Sequence, residues 1–346
     1  MKAARLNPAG SLRLDEIPDP RPGPGEVVVE LAACGVCGTD LEKLRGNYRT
    51  QGKIGHEPAG RVVEVGAGVE VAARGDRVFV HHHVPCLACE VCRHGDLTFC
   101  PHYASTNLEP GGFAERFLVP AANVSRGAIL RLDASVGWEE GALLEPAACA
   151  LTALRRAGFS AGDSVFVVGL GPVGLLYARL AGALGAGWVG GAEPSELRRR
   201  AAEAAGAQLV VDPRDAAAVE TQVRSATGGR GVDLSVAATG VPAAVRLSAR
   251  LARRGGTLDL FGLPEKGSRL DVDLQELYLS GVRVVPTYAT TERDIADVHT
   301  LVARRRLDLS GLVTHRFPLD RIDEAFRTAG TPESAIKVVV TGPALP

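Results

Sequence analysis

Between Ser164 and Gly262 the chain alternates between two textures. Apolar, strand-forming runs are SVFVVG (Ser164 to Gly169), WVGGAE (Trp188 to Glu193), QLVVD (Gln208 to Asp212), VDLSVAATG (Val232 to Gly240) and GTLDLFG (Gly256 to Gly262). Between the first four lie the alanine-rich helical runs PVGLLYARLAGALG, SELRRRAAEAAG and DAAAVETQVRSATG. A strand that is apolar on both faces must be covered on both faces, and crossover helices supply that cover. The alternation therefore predicts a doubly wound α/β domain built on a parallel sheet.

The first 150 residues read differently. EVVVELAAC (Glu26 to Cys34), GRVVEVG (Gly60 to Gly66) and GDRVFVHHH (Gly75 to His83) are strands bounded by turn residues. After about Val284 the rhythm is lost and a mixed texture returns. The expected organisation is a nucleotide domain over residues 151–284, inserted between the two parts, 1–150 and 285–346, of a β-rich domain. A length of 346 residues suits two domains. A net charge of -1 gives no positive excess to hold a phosphate backbone, so nucleic acid is not an expected partner. No apolar run approaches the roughly 18 residues needed to span a bilayer. The start, MKAARLNPAG, has no signal-peptide core, so the expected location is the cytoplasm.

GLGPVG follows the first of these strands and opens a helix, the context that the G-x-G-x-x-G pattern requires. Gly169 permits the turn, Gly171 lets backbone approach a pyrophosphate, and Gly174 allows close helix–strand packing. Pro172 and Val173 complete the turn, and the helix start offers free N–H groups to phosphate. Glu193 ends the second strand. An acid there accepts from both adenosine ribose hydroxyls and repels a 2'-phosphate, which favours NAD over NADP. Arg198, Arg199 and Arg200 keep NADP open. Two of these arginines read as a solvated helix face, and Arg198 is placed against the adenine.

Four of the seven cysteines, Cys86, Cys89, Cys92 and Cys100, follow a C-x2-C-x2-C-x7-C spacing. Four thiolates so close in the chain suit a closed tetrahedral zinc site. Disulfides are the competing reading, disfavoured because nothing points to export. A separate Cys37 lies upstream of Gly55-His56-Glu57. One thiolate and one imidazole make a start on a catalytic zinc site, which uses about three protein ligands and leaves a position open. Glu145 is the best further carboxylate. Glu57 ligates directly, or through water, or stays outside the ligand set.

GVCGTD, GHEPAGRVVEVGAGV, GDRV, the cysteine lobe, LLEPAACALTAL and GLGPVG occur in this order over essentially the whole chain. They resemble the zinc-containing medium-chain dehydrogenase/reductase superfamily. Glu145, where alcohol dehydrogenases of the family carry cysteine, makes the chain similar to the polyol (sorbitol) and threonine dehydrogenase branch. The resemblance implies a GroES-like β-rich catalytic domain, with a structural zinc lobe at 86–100, and a Rossmann domain. It implies two Zn2+ per chain. Cys37, His56 and Glu145 are then ligands of the catalytic ion, with Glu57 the fourth, alternating with water, and Cys86, Cys89, Cys92 and Cys100 hold the structural ion.

The implied activity interconverts a secondary alcohol (polyol, sugar or cyclitol type) and its ketone, with hydride transfer to NAD(P). Zinc would lower the pKa of a bound alcohol. Thr39 would pass the alcohol proton toward solvent, and Asp40 would orient a metal ligand. Thr239, Phe261, Gly262 and Leu263 are expected near the nicotinamide, with Val282 and Val284 beyond them. Lys337, in AIKVVV, either faces the pyrophosphate or is an exposed strand lysine. The expected partners are a small alcohol or ketone and further copies of the chain. The VRVVPTY segment (Val282 to Tyr288) would pair across a two-fold axis in a homodimer or homotetramer.

The pattern departs from the family in places. Glu42 stands where a histidine commonly serves the proton relay, and a carboxylate has a reference pKa of about 4.3 rather than about 6.5. Lys43 stands where sorbitol dehydrogenases offer a tyrosine, and Val284 and Val285 replace their arginine–tyrosine pair. Glu42 either gives the pocket an acidic rim, which favours an amino alcohol or aminocyclitol, or is a solvated helix charge. His81, His82 and His83 would alternate in direction along a strand, so they are not expected to share one ion, although one lines a cleft. Cys34 and Cys149 read as buried core. The competing functions are a zinc-free quinone or enone reductase and a non-catalytic nucleotide-binding protein. Both leave the Cys37, His56 and Glu145 set without a purpose.

Overall fold

The structure is a computed structural model that describes residues 1–7, 11–47 and 52–344. The chain forms two compact units. One comprises Met1–Ala148, Thr290–Arg305 and Leu309–Pro346, and the other Cys149–Ala289 with Arg306–Asp308.

The second unit is the doubly wound α/β fold. Its six strands run, across the sheet, Leu209–Val211, Trp188–Ala192, Ser164–Val168, Val232–Ala237, Ala252–Leu260 and Arg283–Pro286. Every neighbouring pair is parallel. Counted along the unit, this is the order 3-2-1-4-5-6. The order reverses between Ser164–Val168 and Val232–Ala237, and nucleotides bind beyond the carboxyl ends of strands at such a point. Phe166, Val168, Val232, Leu247 and Leu251 are buried in one of its apolar clusters. Pro172 sits in the first turn of the Pro172–Ala183 helix, where its missing N–H costs nothing.

The first unit carries a seven-stranded sheet centred on Val27–Gly35. That strand pairs antiparallel with Pro58–Val65, with Arg116–Val119 and with Lys337–Thr341. All of it but Glu30 is buried, because both faces are covered. Val27, Val29 and Leu31 enter the main core with Val62, Val78, Phe117 and Val340. Ala33 enters a second cluster with Ala142 and Val339, against which Trp138 packs. Full burial of a valine or leucine contributes about 1.5–3 kcal/mol, so this strand anchors the unit. Among the described residues no helix is long and apolar enough to cross a membrane.

Candidate metal centres and nucleotide site

Strand register assembles the first site. Cys34 pairs with Pro58, which brings the residues just after the Val27–Gly35 strand beside those just before Pro58–Val65. On the other side Gly35 pairs with Val339, and Val36 N–H donates to Val338 O at 2.9 Å, so Lys337 arrives at the same sheet end. Cys37, His56 and Glu57 thereby place donor atoms within 4.8 Å of one another. Gly35 makes room for them. A Cβ there would lie 1.8 Å from Glu57 Oε2 and 2.7 Å from Lys337 Cε.

Asp40 organises the set. Cys37 caps the Gly38–Leu44 helix, and its N–H donates to Asp40 Oδ2 at 3.2 Å. Gly55 N–H donates to Asp40 Oδ1 at 3.3 Å, and His56 Nδ1 lies 3.3 Å from that oxygen, ion-paired but off the hydrogen-bond direction. Asp40 is completely buried. Burial opposes its charge, but His56, Lys43 and the Cys37 N–H outweigh burial and hold it at about 2. His56 shows the converse: burial opposes its charge, yet Asp40 and Cys37 hold it well above the ordinary histidine range. Surroundings that attract a proton this strongly suit a bound cation. A soft thiolate, an imidazole and a buried carboxylate are zinc donors, so the residues fit that ion.

Lys337 is the main correction to the sequence reading. It is not an exposed strand lysine: it is buried, with Nζ 2.7 Å from Glu57 Oε1 and 2.6 Å from Oε2. Burial opposes its charge, but Glu57, Cys37 and Glu145 hold it above the ordinary lysine range. Glu145 is buried in the first turn of the Leu144–Ala157 helix, and its charge is felt at Glu57. Its carboxylate does not join the 4.8 Å group. Glu42 takes Arg45 at 2.6 Å and Asn47 at 2.8 Å, which leaves its charge already paired and gives no support to an acidic rim. Thr39 Oγ1 lies 3.8 Å from Cys37 Sγ.

The histidine run also departs from expectation. The strand ends at Val80, so strict alternation does not govern His81 to His83. The rings of His82 and His83 lie 3.9 Å apart, and His82 lies 5.0 Å from His56. His81 pairs with Glu292 at 2.9 Å. His82 Nδ1 is buried without a hydrogen-bond partner, and burial, with the neighbouring His83 and His56, holds its pKa well below the ordinary histidine range. Nothing in the sequence singled out His82 over its neighbours.

The cysteine lobe converges as its spacing implies. Sulfur–sulfur separations are 3.5 Å for Cys89–Cys92, 3.8 Å for Cys89–Cys100 and 4.0 Å for Cys86–Cys92. A tetrahedron of Zn–S bonds of about 2.3 Å has edges of about 3.8 Å. A disulfide needs about 2.05 Å, so these are not disulfides. Backbone N–H groups of Ala88 and Cys89 bring the Cys86 thiol down to about 6, whereas burial and the neighbouring thiols push Cys92 up to about 12.

In the second unit the glycine motif sits at the switch point. Gly169 has φ +95°, and its N–H donates to Ala192 O at 2.8 Å. A Cβ on Gly174 would lie 1.9 Å from Gly169 O, so only glycine fits where the helix crosses the loop. Glu193 is buried and braces the loop: Oε2 accepts from Leu170 N–H at 2.9 Å, and Oε1 from Ser195 N–H at 3.1 Å. Arg198 Nη1 comes within 3.6 Å of the Cβ position of Gly171. Arg199 donates to Glu193 O and Pro194 O, and Arg200 pairs with Glu196. Thr239 packs over Gly169, and Gly262 passes so close to Thr239 that a Cβ would meet its backbone at 2.2 Å. Phe261 stands edge-on to Tyr177, Leu263 is exposed, Val282 packs against a cluster with Ala237 and Leu258, and Val284 is partly exposed on the edge strand.

A doubly wound nucleotide sheet and a thiolate–imidazole–carboxylate group in one chain define the class of nucleotide-dependent dehydrogenases that carry a metal. Residues 23–128 match the alcohol dehydrogenase GroES-like domain, and residues 172–304 the zinc-binding dehydrogenase family. The chain is 34% identical over 334 residues to L-threonine 3-dehydrogenase of Pyrococcus abyssi (strain GE5 / Orsay), covering 93% of each chain. It is 32% identical over 340 residues to sorbitol dehydrogenase of Gallus gallus, covering 94% of this chain and 92% of that one. A Sinorhizobium meliloti 1021 protein, solved bound to NADP, superposes with a TM-score of 0.89 at 30% identity over 98% of both chains. The chain belongs to the zinc-containing medium-chain dehydrogenase/reductase superfamily, in its polyol and threonine dehydrogenase branch. It is an enzyme, an NAD(P)-dependent alcohol oxidoreductase.

Proposed function

We propose that this enzyme oxidises a secondary alcohol of the polyol, sugar or cyclitol type to its ketone, with NAD as the preferred acceptor and two zinc ions per chain. The observation that carries the reading is the convergence of Cys37, His56 and Glu57, with Cys37 and His56 held by the buried Asp40. These three residues hold the catalytic ion, and we assign Glu145 to complete the set. Cys86, Cys89, Cys92 and Cys100 hold the second ion. When bound, zinc supplies Lewis-acid polarisation of the alcohol oxygen, and the nicotinamide accepts the hydride.

The chain's own residues do the rest. Asp40 fixes the Cys37 turn and leaves His56 Nε2 as the donor nitrogen. Thr39 is half-buried beside Cys37, and its hydroxyl carries the alcohol proton toward solvent. Lys337 offsets the charge of Glu57. Gly169, Gly171 and Gly174 bring the start of the Pro172–Ala183 helix to the pyrophosphate. Glu193 spends one acceptor site of each oxygen on the loop and keeps others for the ribose hydroxyls, which supports NAD. Arg198 at the Gly171 turn, and the NADP bound by the Sinorhizobium relative, make NADP the cofactor to test against it.

An amino alcohol is the second reading, favoured by the likeness to a threonine dehydrogenase. The pairing of Glu42 with Arg45 and Asn47 favours the neutral polyol. Assembly is proposed as a homodimer or homotetramer. The Arg283–Pro286 strand is the sheet edge, and Leu274, Tyr278, Leu279, Val284 and Tyr288 are exposed on or near it in sequence. The test is a panel of polyols, simple secondary alcohols and amino alcohols, with NAD and with NADP, followed at the nicotinamide absorbance before and after mild chelation. Polyol turnover with NAD that is lost on chelation supports the proposal. Turnover that survives removal of all metal overturns it.

A further inference from the structure

The nucleotide-binding unit contains an ionisable cluster that the proposed chemistry leaves unused. Asp259 is completely buried near the end of the Ala252–Leu260 strand. Its Oδ2 accepts from the Tyr177 hydroxyl, and its Oδ1 accepts from Thr287 Oγ1 at 3.0 Å. Tyr177 is also completely buried and belongs to the Pro172–Ala183 helix, whose first turn follows Gly171. Its ring stands edge-on to Phe261, with centroids 5.5 Å apart. Phe261 comes two residues after Asp259, and Thr287 follows the Arg283–Pro286 edge strand. One carboxylate therefore ties together the helix behind the glycine turn, the strand that delivers Phe261, and the chain leaving the sheet edge.

A buried carboxylate is costly, and a neutral side chain of the same shape would avoid that cost. Burial raises Asp259 to about 6, although Tyr177, Thr287 and the charge of Arg156 on the Leu144–Ala157 helix pull the other way. Burial also raises Tyr177 well above the ordinary tyrosine range, helped by Asp259 and by Cys149 of that same helix, so Tyr177 stays a donor. A carboxylate accepts two donors without conflict. Once protonated it must itself donate, and one of the two hydroxyls loses its acceptor inside an apolar core.

We propose that Asp259 is a positioning residue for the nicotinamide nucleotide: its carboxylate, holding Tyr177 and Thr287 together, sets the glycine-turn helix and the Phe261 loop in the geometry that binds the cofactor. This rests on the reading of the glycine motif and Phe261 as the nucleotide site. Protonation releases the tie, so binding weakens as pH falls through the titration of Asp259.

The test measures the Kd of NADH by fluorescence between pH 5 and pH 8 on the zinc-loaded enzyme, for the unaltered chain, Asp259→Asn and Tyr177→Phe. In the unaltered enzyme Kd should rise as pH drops below about 6, by about tenfold, the worth of one charge-assisted hydrogen bond. Asp259→Asn should bind weakly and without that pH step. Tyr177→Phe cuts the tie on the helix side, so it should bind weakly at every pH and show no step near pH 6, a loss of pH dependence that a merely structural role would not produce. If Asp259→Asn keeps the same affinity and the same step, or if Tyr177→Phe leaves the step in place, the proposal is overturned. If the unaltered enzyme binds neither NADH nor NADPH at any pH, the nucleotide reading falls with it.

Discussion

Replacing Lys337 with methionine isolates the electrostatics around the Cys37, His56 and Glu57 group. The two chains have similar length and volume, so the change removes a charge and leaves packing nearly intact. Lys337 is 2% exposed and Glu57 0%, with the ammonium within 2.7 Å of one carboxylate oxygen and 2.6 Å of the other. Loss of one member of a buried pair strands the other charge, at a cost of about 3–5 kcal/mol. That is a large part of the roughly 5–15 kcal/mol available to a domain. The loss should be large only in metal-free protein. A dication held by Cys37, His56 and Glu57 supplies positive charge where the ammonium was, so zinc should restore most of it. The double variant Glu57→Gln with Lys337→Met removes both charges and should stand closer to the unaltered chain than the single variant does. The chain has two tryptophans, Trp138 in the first unit and Trp188 in the second. Urea melts of a Trp188→Phe background, read by Trp138 fluorescence, therefore follow the unit that holds the pair. A metal-free loss below about 1 kcal/mol, or an equal loss with and without zinc, would refute the reasoning.

Other outcomes follow from single contacts. Gly174→Ala puts a methyl 1.9 Å from Gly169 O, and NADH binding measured by titration should fall at least about a hundredfold while the first unit melts normally. Asp40→Asn keeps the shape of the helix cap but weakens the hold on His56, and zinc affinity measured by competition with a chelator should drop about 10–100-fold. Asp259 is an acid whose pKa is raised on folding, to about 6 from an unfolded value near 3.9, so its contribution to stability is lost as pH rises through that window. Relative to the unaltered chain, Asp259→Asn should therefore gain about 1–3 kcal/mol between pH 4 and pH 8 in urea melts read by Trp188, and a constant difference across that range would contradict the assignment.

The parts legible in the sequence are those fixed by local chemistry. Strand–helix alternation gave the parallel sheet because each apolar run is short and bounded by turn residues. GLGPVG could be read because its glycines answer contacts within one loop. The cysteine lobe could be read because its four thiols are close in the chain. The proposed catalytic centre was only partly legible. Cys37 and His56 come together because Cys34 pairs with Pro58, a register that the apolar alternation constrains but does not print. Lys337 arrives from the far end of the chain through the pairing of Val339 with Gly35. A lysine inside AIKVVV was a usable signal, since a charge in a fully apolar strand must find a buried partner. Glu42 pairs with Arg45, three residues on in the same helix, which the sequence could have shown. The run GDRVFVHHH predicts a strand through His83, but the chain leaves the sheet at Val80.

The central claim is that two metal sites in one chain have separate duties. Zinc content by mass spectrometry, taken with secondary-alcohol turnover on Cys37→Ser and Cys89→Ser, tests it most directly. The account predicts two zinc ions in the unaltered chain, and one in a folded but inactive Cys37→Ser. It predicts that Cys89→Ser loses the lobe's ion together with stability or assembly. A Cys37→Ser protein that keeps two zinc ions, or that turns over alcohol at the unaltered rate, would contradict it.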